Sequence, residues 1–239
     1  ATVKKYIPYS SHIHEHVVRS PKSDLYCTWE LMGTPFDCES EETLEAGTNQ
    51  LHGLFRSFEG MPVTFYIHND RNQFSDSLHK DSGNPYADEV SELYYSSIGN
   101  FRRNRLFLTV CYLPFAGLEK AERKRMKDGQ KLRELDGALR EMLEIKGSLD
   151  SALSRYGARP LGTFTEGEAV YSSQLAFYEY LLTHEWRRVR VTRTPAYDVM
   201  GSAALFFSAD SGQINHANGS HYFRGLEVKE FSEETATGM

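Results

Sequence analysis

Leu106-Phe107-Leu108-Thr109-Val110-Cys111-Tyr112-Leu113-Pro114-Phe115 is the most apolar run in the chain. It is too short for a buried helix, and Thr109 is the only side chain in its first half that carries a hydroxyl. Such a run reads as a strand buried on both faces. It belongs at the centre of a sheet, because an edge strand this apolar would invite pairing with other chains. The strand is predicted over Arg105 to Phe115. Upstream, Val63 to His68 reads as a second strand, with Val63, Phe65 and Ile67 on one face. A third runs from Leu25 to Phe36, joined to a strand over Glu15 to Ser20 by a turn at Pro21-Lys22-Ser23-Asp24. The strands near Leu25, Val63 and Arg105 are expected to form one sheet.

Helical patterns lie between them. Ser40 is placed as an N-cap, with Glu41 and Glu42 in the first turn. Leu44, Leu51, Leu54, Phe55 and Phe58 recur at helical spacing, and Met61-Pro62 ends the pattern. The polar stretch Asn69 to Gly83 predicts a loop. Pro85 suits the first turn of a helix reaching about Asn104. These two helices are expected to cover the sheet.

Leu118 to Tyr156 contains no proline and predicts one long helix. Its first half is basic, through Lys120, Arg123, Lys124, Arg125, Lys127, Lys131 and Arg133, which suits a solvated face or an anionic membrane surface. Its second half carries a seam at Leu132, Leu135, Leu139, Met142, Leu149 and Leu153, in steps of three and four interrupted only at Lys146. Gly129, Gly137 and Gly147 each weaken the helix by about 1 kcal/mol relative to Ala. The seam must therefore be covered, either by the chain's own sheet or as an interface with another subunit. Gly157 is placed as a C-cap.

Beyond it, Leu161 to Phe164 reads as a short strand. Glu166 to His184 reads as a helix with an aromatic face of Tyr171, Leu175, Tyr178, Leu181 and Leu182. Arg187 to Thr194 reads as an edge strand, and the last fifty residues as β-structure, with a hairpin signal at Asn218-Gly219. The expected fold is mixed α/β (α+β): a mixed sheet covered by helices, one long helix near the middle and a β-rich C-terminal part. The whole, 1–239, is expected to be one accessory domain. It would subdivide at 1–116 and 157–239, linked by the long helix 118–156.

Composition narrows the function. The 239 residues are 40% hydrophobic and 25% charged, with a formal net charge of −6. That excludes polyanion binding as a property of the whole chain, though not of a local patch. Fourteen Tyr and fourteen Phe favour a folded chain with large buried rings. Cys27, Cys38 and Cys111 are odd in number and show no CxxC spacing, which argues against a disulfide framework and fits a reducing compartment. Ala1 to Ser11 lacks the apolar core of a signal peptide, and no window approaches a membrane span, so the chain is expected either to be purely soluble or to reach a membrane through a partner.

Catalytic signatures are missing from the sequence. It contains no GxxxxGK[ST], GxGxxG, GxSxG, HExxH or paired CxxC. No catalytic, cofactor or metal residue is assigned. His12, His14 and His16 would share one strand face, but neighbours along a strand are too splayed to close round one zinc, and a polar terminus is the plainer reading. Two basic clusters suggest nucleic acid: Arg102, Arg103 and Arg105, and Arg187, Arg188, Arg190 and Arg193 beside Trp186. Alternating arginines near an aromatic ring could follow a phosphate backbone. They could equally protect an edge strand from pairing. Asn218-Gly219-Ser220 fits a glycosylation acceptor, but a hairpin turn explains it as well.

Several segments carry a family resemblance. They are Ile7-Pro8-Tyr9-Ser10-Ser11-His12, the hairpin through Leu25 to Gly33, Asn104 to Pro114, Gly201 to Phe207, and Tyr222-Phe223-Arg224-Gly225-Leu226-Glu227-Val228-Lys229-Glu230-Phe231. In this order the chain resembles the N-terminal region of the large ATPase of type IV secretion and conjugation machines, the CagE/TrbE/VirB family. In that family the region precedes a RecA-like motor with the Walker motifs, where ATP and Mg bind. The sequence reaches Met239 before any such motif. The resemblance therefore implies a part of a longer chain that is itself no enzyme. It implies docking at the cytoplasmic side of the bacterial inner membrane, contact with small inner-membrane subunits and self-association of the motor, serving export of protein or DNA. The alternative is a nucleic-acid-binding module that contacts transferred DNA through 187–193.

Overall fold

Strand pairing places the apolar run inside a six-stranded sheet, one strand in from an edge. The structure, a computed structural model, describes residues 7–34, 39–74, 83–98, 101–118, 128–201, 204–208, 210–216 and 219–226. The chain forms two compact units, His12–Gly162, and Ala1–Ser11 together with Thr163–Met239.

The first unit contains β1 (Ser11–His14), β2 (Val17–Arg19), β3 (Leu25–Leu31), α1 (Glu41–Arg56), β4 (Val63–Phe74), α2 (Pro85–Ile98), β5 (Phe101–Tyr112) and α3 (Asp128–Leu153). A 3-10 turn (Ser154–Tyr156) and β6 (Arg159–Pro160) complete it. The sheet order is β1-β2-β3-β5-β4, with β6 paired to β3. β5 runs antiparallel to both neighbours, with Cys27 and Phe65 on either side of Val110.

One face of this sheet is the hydrophobic core. Leu25, Cys27 and Trp29 from β3 meet Leu108, Val110 and Tyr112 from β5 and Met142, Ile145, Leu149 and Leu153 from α3. Burying each such large side chain contributes roughly 1.5–3 kcal/mol. Phe65 receives Phe55 edge-on at 5.0 Å and Phe58 at 5.4 Å, which fixes α1 on the same face. The other face is also buried at β5, through Phe107, Thr109 and Cys111, and it carries polar pairs. Thr28 and Thr109 join hydroxyls at 2.9 Å, and His68 Nε2 lies 3.2 Å from the Thr109 hydroxyl. Arg105 pairs with Glu30 at 2.9 Å.

The structure departs from the sequence reading in several places. The stretch 69–74 is strand rather than loop, paired with 101–106. Here the two-stranded ribbon carries mainly polar side chains, so no period-two alternation marks it. The helix from Pro85 accordingly ends at Ile98 rather than near Asn104. That helix does not supply the cover expected of it, because Tyr86, Val90, Leu93 and Tyr94 are exposed. The cover comes instead from α1 and α3. The long helix is described from Asp128, and the basic residues 119–127 lie outside the described residues. Rather than linking two parts, it packs within the first unit. Gly157 caps the 3-10 turn in the left-handed region, at φ 60°.

The second unit contains β7 (Thr163–Glu166), β8 (Ala169–Ser172), α4 (Ser173–Thr183), β9 (Val189–Arg190), the short α5 (Ala196–Val199), β10 (Ala204–Phe207), β11 (Gly212–His216) and β12 (Gly219–Phe223). β7-β8-β9 and β10-β11-β12 form two small antiparallel sheets. The helix expected from Glu166 begins only at Ser173, with the Ser172 hydroxyl accepting from Leu175 N–H at 2.9 Å. Val170 and Tyr171 belong to β8, because Gly167, at φ 61°, turns the chain into a hairpin. Residues 7–11 belong to this unit. Tyr9 stacks on Tyr178 at 4.0 Å, and Ser10 C=O and Tyr9 C=O accept from Ala196 N–H and Tyr197 N–H.

Candidate functional site

The arginine segment is organised by a carboxylate that the sequence did not single out. Glu179 lies on the buried side of α4 with its side chain 1% exposed. Its Oε1 accepts from Arg187 Nη2 at 2.5 Å and its Oε2 from Gly201 N–H at 2.9 Å. Both oxygens are occupied in holding the chain, one bond to each. Arg188 pairs with Glu166 at 2.6 Å across an exposed surface, a bridge of about 0–1 kcal/mol. Arg190, on β9 opposite Tyr171, and Arg193 are exposed. Trp186 stacks on Tyr180 at 4.6 Å and on Phe177 at 6.1 Å. Of the expected alternating strand, only Val189–Arg190 is paired. The four guanidiniums therefore do not form one unopposed row, and two of them already face carboxylates.

The histidines are likewise engaged locally. His12 Nδ1 lies 3.1 Å from His14 C=O, and His14 Nδ1 accepts from His16 N–H. His16 Nδ1 lies 3.1 Å from Leu161 C=O. Burial holds His12 below its ordinary pKa. Among the described residues no three metal-ligating side chains are placed to share an ion.

The leucine seam is covered from within. Met142, Leu149 and Leu153 are in the core, and Leu135 and Leu139 pack at its margin. The side chain of Leu132 lies outside the described residues. Met142, Leu149 and Leu153, buried against Trp29 and the sheet, are core rather than interface. Lys146, at the break in the seam, reaches Asp150 Oδ2 at 2.6 Å, and Asp150 Oδ1 accepts from Trp29 Nε1–H at 2.7 Å.

Among the described residues, apolar side chains are grouped at the surface on two elements in particular. On the β10–β12 sheet, Phe206 and Tyr222 flank Gln213 in one cross-strand row and are both largely exposed. On α2, Tyr86, Val90, Leu93 and Tyr94 are half to three-quarters exposed. No described helix is long and apolar enough to cross a membrane. These surfaces form no enclosed reaction site, and what they offer chemically is contact area.

Comparison with known proteins agrees with this picture. Residues 16–119 match the family described as the type IV secretion system ATPase VirB4/TrbE, N-terminal domain. Residues 159–239 match the CagE, TrbE, VirB family, component of type IV transporter system. The chain is 30% identical over 250 residues to the type IV secretion system protein virB4 of Brucella suis biovar 1, covering 98% of this chain and 30% of that protein. It is 28% identical over 249 residues to the type IV secretion system protein PtlC of Bordetella pertussis, covering 99% of this chain and 30% of that protein. With virB4 of Bartonella henselae the identity is 24% over 247 residues. The chain thus spans about 30% of the length of the curated relatives it matches. With an N-terminal and a second family signature in the expected order, the chain belongs to the CagE/TrbE/VirB family of type IV secretion components, in the N-terminal region of VirB4/TrbE ATPases.

Proposed function

We propose that this chain is the docking and assembly part of a type IV secretion ATPase. In this reading it holds the motor at the cytoplasmic side of the inner membrane, through contact with small membrane subunits, for export of protein or DNA. ATP and Mg bind in the remainder of the longer protein, and this part neither binds nor hydrolyses ATP. Self-association of the longer protein uses surfaces other than the α3 seam.

The observation that carries the reading is the pair of exposed apolar surfaces on ordered elements, in a chain whose core is otherwise closed around Trp29, Leu149 and Val110. Apolar side chains grouped at a surface mark contacts with other proteins or membranes. Tyr and Phe, which dominate here, are enriched at protein interfaces. Family membership supplies the setting.

The test is flotation of the chain with inverted inner-membrane vesicles, prepared with and without the other secretion subunits. Retention only when the subunits are present, persisting in raised salt, supports the reading, because an apolar interface resists salt whereas phosphate contacts do not. Equal retention on subunit-free vesicles, or none on either, rejects it.

A further inference from the structure

α2 leaves its apolar stripe in the open. A surface helix ordinarily turns its apolar stripe inward. Here Tyr86, Val90, Leu93 and Tyr94 follow helical spacing along one side, and all four are exposed. The half-buried positions are Ala87, Asp88, Ser91 and Tyr95, which lie on the other side. The side that carries Ala87, Asp88, Ser91 and Tyr95 is the less exposed one, and the apolar stripe is the more exposed. The helix also carries Asp88, Glu89 and Glu92 and no Lys, Arg or His from Pro85 to Ile98.

We infer that the outward stripe of α2 receives a basic amphipathic segment of a membrane subunit, next to where that subunit leaves the bilayer. This rests on the docking reading above and names the partner's chemistry. An apolar stripe beside Glu89 and Glu92 is matched by a segment with an apolar face and flanking Lys or Arg. Cytoplasmic segments adjoining membrane spans carry that excess of Lys and Arg. The two other occupants fit the charge less well. A second copy would bring acidic helices against each other, and an anionic leaflet would repel the three carboxylates. Tyr and Leu anchors on a helix face suit helix-on-helix recognition.

The probe is a fluorescent synthetic peptide of leucine and lysine in amphipathic order, with a leucine–glutamate counterpart, titrated with the full 239-residue chain by anisotropy. The cationic peptide is expected to bind and the anionic one not. Val90→Ser with Leu93→Ser should weaken binding at least about tenfold without changing the circular dichroism, since both residues are exposed. Glu89→Lys with Glu92→Lys should reverse the preference between the two peptides. Wild-type binding by both double variants overturns the inference. So does a stripe-dependent dimer in sedimentation, which would make a second copy the occupant, or stripe-dependent flotation on protein-free anionic vesicles, which would make it lipid. On vesicles carrying the secretion subunits the two readings separate. If the Val90/Leu93 variant is retained like wild type, this helix is not the contact and docking stands. If wild type itself is not retained, both fall.

Discussion

Arg187 places Nη2 2.5 Å from Oε1 of Glu179, joining a guanidinium side chain that is 47% exposed to a carboxylate side chain that is 1% exposed. The asymmetry decides which partner depends on the other. The arginine can turn to water, whereas among the described residues the glutamate has Arg187 and Gly201 N–H to replace its hydration.

Arg187→Ala is therefore expected to lower stability by about 3 kcal/mol, because it strands a buried charge. Glu179→Gln should cost less, as the amide oxygen can still accept from Gly201 and no charge is left behind. Urea unfolding of the two variants gives the comparison. An Arg187→Ala protein as stable as wild type would show that the pair does not hold this unit together.

Leu149→Ala should cost about 3 kcal/mol, as expected for truncating a fully buried leucine. Its sedimentation should match wild type. Leu135→Asp with Leu139→Asp should also destabilise the chain, since both pack against the same core. A folded, stable double variant that changed only its association would return the seam to the role of interface.

Cys27 and Cys111 are expected to resist iodoacetamide at pH 8 until the chain is unfolded. Burial pushes the Cys27 thiol up to about 12 and the Cys111 thiol up to about 11, so little reactive thiolate forms. For an acid whose folded pKa is raised, stability is intact below the unfolded pKa and declines as pH rises above it. The protein should accordingly lose stability in alkali, from about pH 9 upward. Peptide mapping by mass spectrometry reads the labelling, and rapid modification of either residue in the native protein would contradict the prediction.

His68 is held below its ordinary pKa by burial, beside the Thr109 hydroxyl. A histidine with a depressed folded pKa favours the folded state above its unfolded pKa and penalises it as pH falls further. The midpoint of urea unfolding should drop between pH 7 and pH 5, and His68→Asn should reduce that drop. If the two proteins respond identically to acid, His68 does not contribute to the pH dependence.

What could be read in advance followed solvent contrast. The run at Leu106–Leu113 announced a central strand because both of its faces leave water, and β5 does lie between β3 and β4. The ribbon at 69–74 and 101–104 was illegible because it carries mainly polar side chains and leaves no alternation to detect. Lys146 looked like an interruption of the seam, yet its chain lies along the core and its ammonium steadies the carboxylate that Trp29 needs. Glu179 gave no signal, since a glutamate in a helical pattern reads as surface. Its partners, Arg187 and Gly201, are recognisable only once the chain has folded back. The exposure of the α2 stripe was equally hidden, because periodicity identifies an apolar stripe without saying which way it faces.

The stacking of Tyr9 on Tyr178 has a consequence for birth on the ribosome. The first of these residues is made before the unit His12–Gly162, and the second only after it. At ordinary elongation rates that interval is on the order of ten seconds. Throughout it, Ile7 to Ser10 have no Tyr178, Ala196 or Tyr197 to hold them. The unit that contains Tyr9 is thus the last to close, and residues 7–10 must stay unengaged while the six-stranded sheet forms.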